Sequence, residues 1–232
     1  MIKYFNDYLK DTKDKRDYRF EDYFPTKPLL QKFQHTIEPF IDCGHILSCV
    51  ACAFTTVNSW LHSEYDVGYI LAKKLSWRYL YANVEHIRGG TRFRDNADYL
   101  RHFGQVIEEE MPQEEYFKAE NQYWELEQIT DEMKANALKH RIDKYYYVRR
   151  QDTKQAVALA PLIIGLKTDR YWHDYRQKII RYRWWLRHYK HAVVIYGWTD
   201  RYWLIIDCRG KKKRKLDIRH PILKRIFITK YD

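Results

Sequence analysis

The spacing of the apolar residues changes partway along the chain. In the first part they recur every three or four positions, which predicts amphipathic helices. These helical segments cover about 49–61, 65–84, 93–104 and 114–142, with a shorter one near 156–160. In the second part the apolar residues form continuous runs that predict buried strands, at 161–166, 191–197 and 202–207, with further strand-forming stretches around 216–218 and 226–228. Helices followed by a mostly antiparallel sheet define an α+β fold with a cleft between the two parts.

The chain is expected to form one domain. It has no internal repeat and no linker rich in Gly, Ser or Pro, and 232 residues can bury a sizeable core. We expect a mainly helical lobe at about 30–145 and a mainly β lobe at about 146–232, with the N-terminal segment packing across them. The whole of 1–232 is then a single unit.

The N-terminal region and the cysteines indicate in which cellular compartment the protein is expected. Residues 1–24 are charged throughout and lack the apolar stretch of a signal peptide, and no run approaches the roughly 18 apolar residues of a membrane span. Four cysteines in a chain of this length are typical of reduced thiols rather than of a disulfide framework. A cytoplasmic protein without a membrane partner is therefore expected.

The chain is basic and rich in aromatic residues. It has 42 Lys and Arg against 31 Asp and Glu, a formal net charge of +11, together with 21 Tyr and 8 Trp. Aromatic and basic side chains together also line grooves for single-stranded nucleic acid, so nucleic-acid binding is kept as one possible function. The sharpest basic run, 211–215, is expected to be a solvated hairpin tip.

Three residues have the chemistry of a nucleophilic site. Cys49 begins the first predicted helix, and a helix N-terminus lowers the pKa of a thiol because it favours the thiolate. His191 opens one predicted strand and Asp207 closes the next, so a hairpin brings the two side chains together. The pattern predicts a nucleophile, its base and the group that orients the base.

The same segments resemble the papain family of cysteine peptidases, particularly its compact bacterial and phage-type members. Residues 42–53, DCGHILSCVACA, resemble the nucleophile motif Asp-Gln-Gly-x-x-Gly-Ser-Cys-x-Ala-x-Ala. Residues 191–197, HAVVIYG, resemble the histidine strand, and 206–210, IDCRG, occupy the place of Lys/Arg-Asn-Ser-Trp-Gly. Residues 89–104 resemble the Gly-Thr-x-x-Arg-Asp helix region. His191 lies 142 positions after Cys49, within the roughly 130 to 150 expected for the family.

The resemblance implies a two-lobed papain-like fold and a cysteine endopeptidase or processing peptidase acting on peptides or proteins. It assigns catalysis to Cys49, His191 and Asp207, the oxyanion-hole position to Cys43, and substrate main-chain binding to the Gly89–Gly90 pair. No cofactor and no metal are expected. Only 48 residues precede Cys49, so no propeptide of the usual length is expected and control by a regulatory or assembly partner is predicted.

Several departures from the family pattern favour a second possibility, a catalytically weak papain-like domain used for binding or structure. Cys43 stands where the family has glutamine, and a thiol is a much weaker hydrogen-bond donor than an amide. Leu47 replaces a glycine, and Arg209 replaces the tryptophan that shields the third triad residue. The resemblance also places Cys43 and Cys208 near each other on the cleft floor, so their approach, with or without a disulfide, is a hypothesis.

Two alternatives concern the cysteines themselves. The Asp-Cys-Gly sequence at Cys43 resembles that of bacteriocin-processing peptidases, which makes Cys43 an alternative nucleophile. A zinc site is the other alternative. Its ligands would be Cys43, His45, Cys49 and Cys52, with His188 and His191 as a second pair.

Overall fold

A computed structural model of the chain describes residues 9–11, 14, 17–38, 41–43, 46–66, 69–71, 73–86, 90–113, 129–169, 172, 177–182, 189–210 and 212–231. Within these residues the helices are α1 (Cys49–His62), α2 (Trp77–Asn83), α3 (Phe93–His102), α4 (Asp131–Ala137) and α5 (Thr153–Leu159). Short 3₁₀ turns lie at Phe20–Asp22 and Leu138–His140. The strands are β1 (Phe33–Gln34), β2 (Glu64–Asp66), β3 (Tyr69–Leu71), β4 (Ile142–Tyr147), β5 (Leu162–Thr168), β6 (Ile179–Ile180), β7 (Tyr189–Trp198), β8 (Tyr202–Asp207), β9 (Lys212–Asp217) and β10 (Ile222–Lys230).

One large sheet organises the second half of the chain. Its strand order is β4-β10-β5-β7-β8-β9-β6, and β1 joins it by pairing with β7. The pairings are antiparallel except for that of β6 with β9. Strands β2 and β3 form a separate antiparallel pair. Helices in the first half and an antiparallel-rich sheet in the second are the α+β arrangement that the sequence predicts.

Both faces of the large sheet are buried. On one face Val50 of α1 belongs to a core cluster with Val194 of β7, and on the other face Ile195 of β7 belongs to a cluster with Phe20. Helix α5 contributes to this second cluster through Ala156. Because neighbouring residues of a strand both find an apolar partner, the strands appear in the sequence as continuous apolar runs without alternation.

Two of the predicted helical segments are corrected by the structure. Of the described residues in the segment 65–84, only Trp77–Asn83 is helical, and the start of the segment lies in the strands Glu64–Asp66 and Tyr69–Leu71. In the segment 114–142, residues 114–128 lie outside the described residues, Asp131–Ala137 is helical, and Ile142 begins β4. Strand β4 therefore begins a few residues before the expected lobe boundary near 146.

The helices of the described residues are all too short or too polar to cross a membrane.

Candidate active site

Helix α1 presents its first residue to the end of the sheet. Cys49 is that residue, and its side chain is fully buried. The helix packs against β7, β5 and β10 through the core cluster that contains Val50, Phe54 and Val57. The first turns of the helix thereby lie near the end of β8, since the sulfurs of Cys52 and Cys208 are within 4.8 Å of each other.

His191 and Asp207 are brought together at the open end of the β7–β8 hairpin. Val194 pairs with Ile206 across the hairpin, so His191, three residues earlier, lies beside the end of β8. The His191 Nε2 atom is 2.9 Å from Asp207 Oδ1, and both side chains are buried. This hydrogen bond fixes the plane of the imidazole ring and leaves proton exchange with a substrate or thiol to the Nδ1 side.

Asp207 is held by four donors. His191 is the first of these donors. The Trp172 indole N–H donates to Oδ2 at 2.9 Å, the Arg214 guanidinium donates to Oδ2 at 3.0 Å, and the Arg209 backbone N–H donates to Oδ1 at 3.2 Å. Burial by itself raises the pKa of Asp207, but His191, Arg214 and the Arg209 N–H outweigh it and hold the pKa below its usual range. Asp207 is therefore a carboxylate at neutral pH.

Trp172 covers the His191–Asp207 pair. Its ring lies edge-on to the His191 ring, with centroids 5.6 Å apart and planes at 74°, and it is almost fully buried. Arg209 stands where the papain family has a shielding tryptophan, and here an indole from a different part of the chain contacts the carboxylate of Asp207. Because this contact joins residues 35 positions apart, no local pattern predicts it.

The prediction for the basic run 211–215 is wrong. Residues Lys212–Asp217 form strand β9 rather than a solvated hairpin tip, and Arg214 is buried inside it. Its Nη1 atom also donates to the Trp172 carbonyl at 3.0 Å, so the guanidinium ties the tryptophan to the carboxylate. The only signal in the sequence is that Arg214 and Leu216 share one face of an alternating strand.

Replacing Trp172 with phenylalanine is expected to lower the free energy of unfolding by about 1.5–3 kcal/mol for the lost hydrogen bond, because the acceptor is charged. Trp198→Phe is the matched control, since Trp198 is equally buried but donates to the neutral Leu30 carbonyl at 3.3 Å. Its lost hydrogen bond should contribute about 0.5–1.5 kcal/mol. Urea unfolding of both variants measures the difference, and equal losses would contradict the assigned role of the Trp172 N–H.

Three cysteines form a buried cluster next to this pair. The sulfurs of Cys43 and Cys208 are 3.2 Å apart, and the Cys43 backbone N–H donates to the Cys208 carbonyl at 3.3 Å. Both are free thiols, as is Cys52, whose sulfur lies within 4.8 Å of the other two. The hypothesis that Cys43 and Cys208 approach each other therefore matches the structure, without a disulfide.

The thiol protons of the cluster are shared unequally. Hydrogen bonds from Cys208 and Cys52 hold the pKa of Cys43 well below its usual range against the opposing effect of burial, and the charges of Arg209 and His191 act in the same direction as these hydrogen bonds. Burial raises the pKa of Cys52, and the hydrogen bond with Cys43 raises that of Cys208. Within the cluster, Cys43 therefore holds its proton less tightly than Cys52 and Cys208.

The remaining predicted positions are described only in part. Gly90 is buried directly before Thr91, whose side chain accepts a hydrogen bond from Asn96 at 2.9 Å. Gly89 and His45 lie outside the described residues. Of the four residues proposed as the first zinc ligands, Cys43 and Cys52 come together, with Cys208 as their third neighbour.

Comparison with solved structures identifies the fold. No protein-family model matches the sequence, and no curated protein matches it in a sequence search. Xylellain, a cysteine protease from Xylella fastidiosa, superposes with a TM-score of 0.79 at 20% identity, covering 99% of this chain and 97% of that one. Digestive procathepsin L2 from Tenebrio molitor gives a TM-score of 0.73 at 15% identity, covering 97% and 78% of the two chains.

Bromelain from Ananas comosus, solved with the inhibitor E-64, gives a TM-score of 0.65 at 12% identity, covering 88% of this chain and 100% of that one. All three are proteases, and xylellain is described as a cysteine protease. The chain has the papain-like fold, a helical part and an antiparallel-rich sheet, as the resemblance in the sequence implies. Identities this low show the fold and leave the activity to be argued from the residues.

Proposed function

We propose that the protein is a cysteine peptidase that hydrolyses peptide bonds with Cys49 as nucleophile, His191 as base and Asp207 as the group that orients the base. One observation carries the proposal, the 2.9 Å hydrogen bond between His191 and an Asp207 carboxylate that is itself held by Trp172 and Arg214. Such a buried arrangement orients an imidazole and stabilises its protonated form.

In the proposed reaction the Cys49 thiol transfers its proton to His191, and the thiolate attacks the carbonyl carbon of the substrate. The helix N-terminus favours the negative sulfur. His191 then returns the proton to the leaving amine, which breaks the peptide bond and leaves a thioester on Cys49. Water activated by His191 hydrolyses the thioester. Asp207 remains ionised throughout and stabilises the imidazolium.

The substrate class follows from the fold family. We propose that peptide or protein main chains bind in the cleft, with Gly90 and Gly89 as the positions that contact the substrate backbone. Glycine permits such a close approach because it has no side chain. The protein would then act as an endopeptidase or processing peptidase under the control of a partner.

The Cys43 cluster favours a second candidate function, a papain-like binding module with little or no catalysis. Cys43 stands at the position where peptidases of this fold need a hydrogen-bond donor for the oxyanion, and a thiol is a weak donor. The lowered pKa of Cys43 further favours loss of that donor proton. The two candidates therefore differ in whether Cys49 is activated by His191.

Treatment with an epoxide thiol probe such as E-64, followed by mass spectrometry of the peptides, tests the proposal. We expect an adduct on Cys49, formed at least about 100-fold more slowly in His191→Ala, because a general base contributes on the order of 10²- to 10⁴-fold. His62→Ala is the control, since His62 lies at the opposite end of α1. Labelling of Cys49 that is indifferent to His191 supports the binding module, and labelling of Cys43 instead identifies that residue as the nucleophile.

A further inference from the structure

The buried cluster of Cys43, Cys52 and Cys208 has the geometry of a metal site. One ligand atom from each residue lies within 4.8 Å of the other two, and the Cys43–Cys208 pair is at 3.2 Å. Cys43 and Cys52 are fully buried and Cys208 is 5% exposed. The three sulfurs come from separate segments, one before α1, one within α1 and one after β8. They therefore form a cluster of possible ligands, in contrast to a single buried cysteine.

The backbone already fixes the positions of these sulfurs. The Cys43 N–H bond to the Cys208 carbonyl ties the segment before α1 to the end of β8. Cys52 is held by its helix, where its backbone N–H donates to Ser48 at 2.9 Å and its sulfur lies 3.4 Å from the Ser48 hydroxyl. A ligand that binds the three sulfurs thus meets side chains that are already in place.

The cluster is close in size to the sulfur shell of a soft cation. With metal–sulfur bonds of about 2.3 Å, two sulfurs on one tetrahedral or trigonal ion lie about 3.8–4.0 Å apart. The Cys43–Cys208 separation of 3.2 Å is shorter than this distance and both separations from Cys52 are at most 4.8 Å, so shifts of about 1 Å or less at each sulfur would bring all three onto one ion. Thiolates select soft ions such as Cu(I), Zn(II) and Cd(II) over Mg(II) or Ca(II).

We propose that Cys43, Cys52 and Cys208 bind one thiophilic metal ion of the Cu(I), Zn(II) or Cd(II) class. Each protonated ligand releases one proton as its sulfur–metal bond forms, and no oxidant or reductant takes part. Because metal binding displaces these protons, it should strengthen as pH rises.

The site has a consequence for catalysis that rests on the proposed function. Cys43 occupies the oxyanion-hole position, and Cys208 directly follows the orienting Asp207. Cys208 is also close to the proposed catalytic pair, because its sulfur, a His191 ring nitrogen and an Asp207 carboxylate oxygen lie within 4.8 Å of one another. The bound ion therefore lies beside that pair. An ion bound to Cys43 and Cys208 changes the hydrogen bonding at both positions and so inhibits hydrolysis without touching Cys49.

Cadmium titration of the full-length, reduced protein tests the site directly. All measurements use a Cys49→Ala background, which removes binding by the proposed catalytic thiol, and follow the ultraviolet charge-transfer absorption of sulfur–cadmium bonds. We expect one Cd(II) per chain and an increase in the melting temperature with Cd(II) concentration. Adding Cys52→Ser or, separately, Cys208→Ser is expected to weaken binding by at least about 10- to 100-fold, since even outer-shell changes at metal sites have effects of this size.

The results distinguish binding at the three cysteines from binding elsewhere on the protein. Absence of the absorption band in the Cys49→Ala protein overturns the proposal, as does binding that survives both serine substitutions. Circular dichroism of the serine variants before titration establishes that they are folded, and Cys208→Ser gives an independent reading if Cys52→Ser is not. Because the readout is binding rather than hydrolysis, the result stands even if the protein proves to be a non-catalytic module.

Discussion

Cys49→Ala is expected to lower kcat/KM for peptide hydrolysis by on the order of 10⁶-fold, the loss seen when a hydrolase triad loses its nucleophile. The reason is that neither the base nor the orienting carboxylate can attack the substrate in its place. Hydrolysis of a quenched-fluorescent peptide library by the wild type first supplies a substrate, and the purified variants are then compared on it.

Cys43→Ala provides the contrast for this prediction. Removing a true oxyanion donor lowers the rate by on the order of 10²- to 10³-fold, and a thiol is a weaker donor than an amide. We therefore expect a loss below that range for Cys43→Ala and a far larger one for Cys49→Ala. The reverse order would assign the nucleophile to Cys43. A wild-type protein that cleaves none of the library would instead support the binding module.

The parts of the fold that the sequence predicts are those with a local signal. Helix α1 was predicted at 49–61 and is Cys49–His62, and the strand runs at 191–197 and 202–207 lie within β7 and β8. Each is long and strongly apolar, so its type can be read from one segment. Strands β2 and β3 were missed because three residues are too few for alternation to be distinguished from helical spacing.

The surroundings of Asp207 could be predicted only in part, because they depend on contacts between distant segments. His191 and Asp207 were expected to be neighbours because a hairpin joins them. Trp172 and Arg214 were not predicted, since a lysine-rich run ordinarily indicates a solvated surface. A buried arginine there is tolerated only because it meets a carboxylate, and that pairing is a property of the folded sheet.

Asp207→Asn is expected to lower the free energy of unfolding by about 3–5 kcal/mol, the cost of leaving one partner of a buried ion pair without the other. Asparagine can still accept from His191, but its NH₂ group would face the N–H donors of Trp172 and Arg214. Asp217→Asn is the matched control, because Asp217 pairs with an Arg219 side chain that is 73% exposed. That exposed pair should contribute about 0–1 kcal/mol in urea unfolding.

A double-mutant cycle with Arg214→Met separates the ion pair from its surroundings. Each single change leaves a buried group without its partner, whereas Asp207→Asn with Arg214→Met removes both charges. We expect the double variant to be destabilised by clearly less than the sum of the single variants, with an interaction of about 0.5–3 kcal/mol. Additive losses would show that the two side chains do not stabilise each other.

The same ion pair predicts how stability depends on acid. Because the pKa of Asp207 is lower in the folded protein than the roughly 3.9 of an unfolded chain, the unfolded state takes up the proton first. The Asp207 carboxylate therefore contributes fully to the free energy of unfolding at pH values above the unfolded pKa. This contribution is lost as the pH falls below the unfolded pKa toward the folded one. Urea unfolding at about pH 6 and about pH 3 should show a larger loss for the wild type than for Asp207→Asn, since asparagine has no proton to take up. An equal loss in both proteins would mean that other carboxylates, and not the one that holds His191, govern acid unfolding.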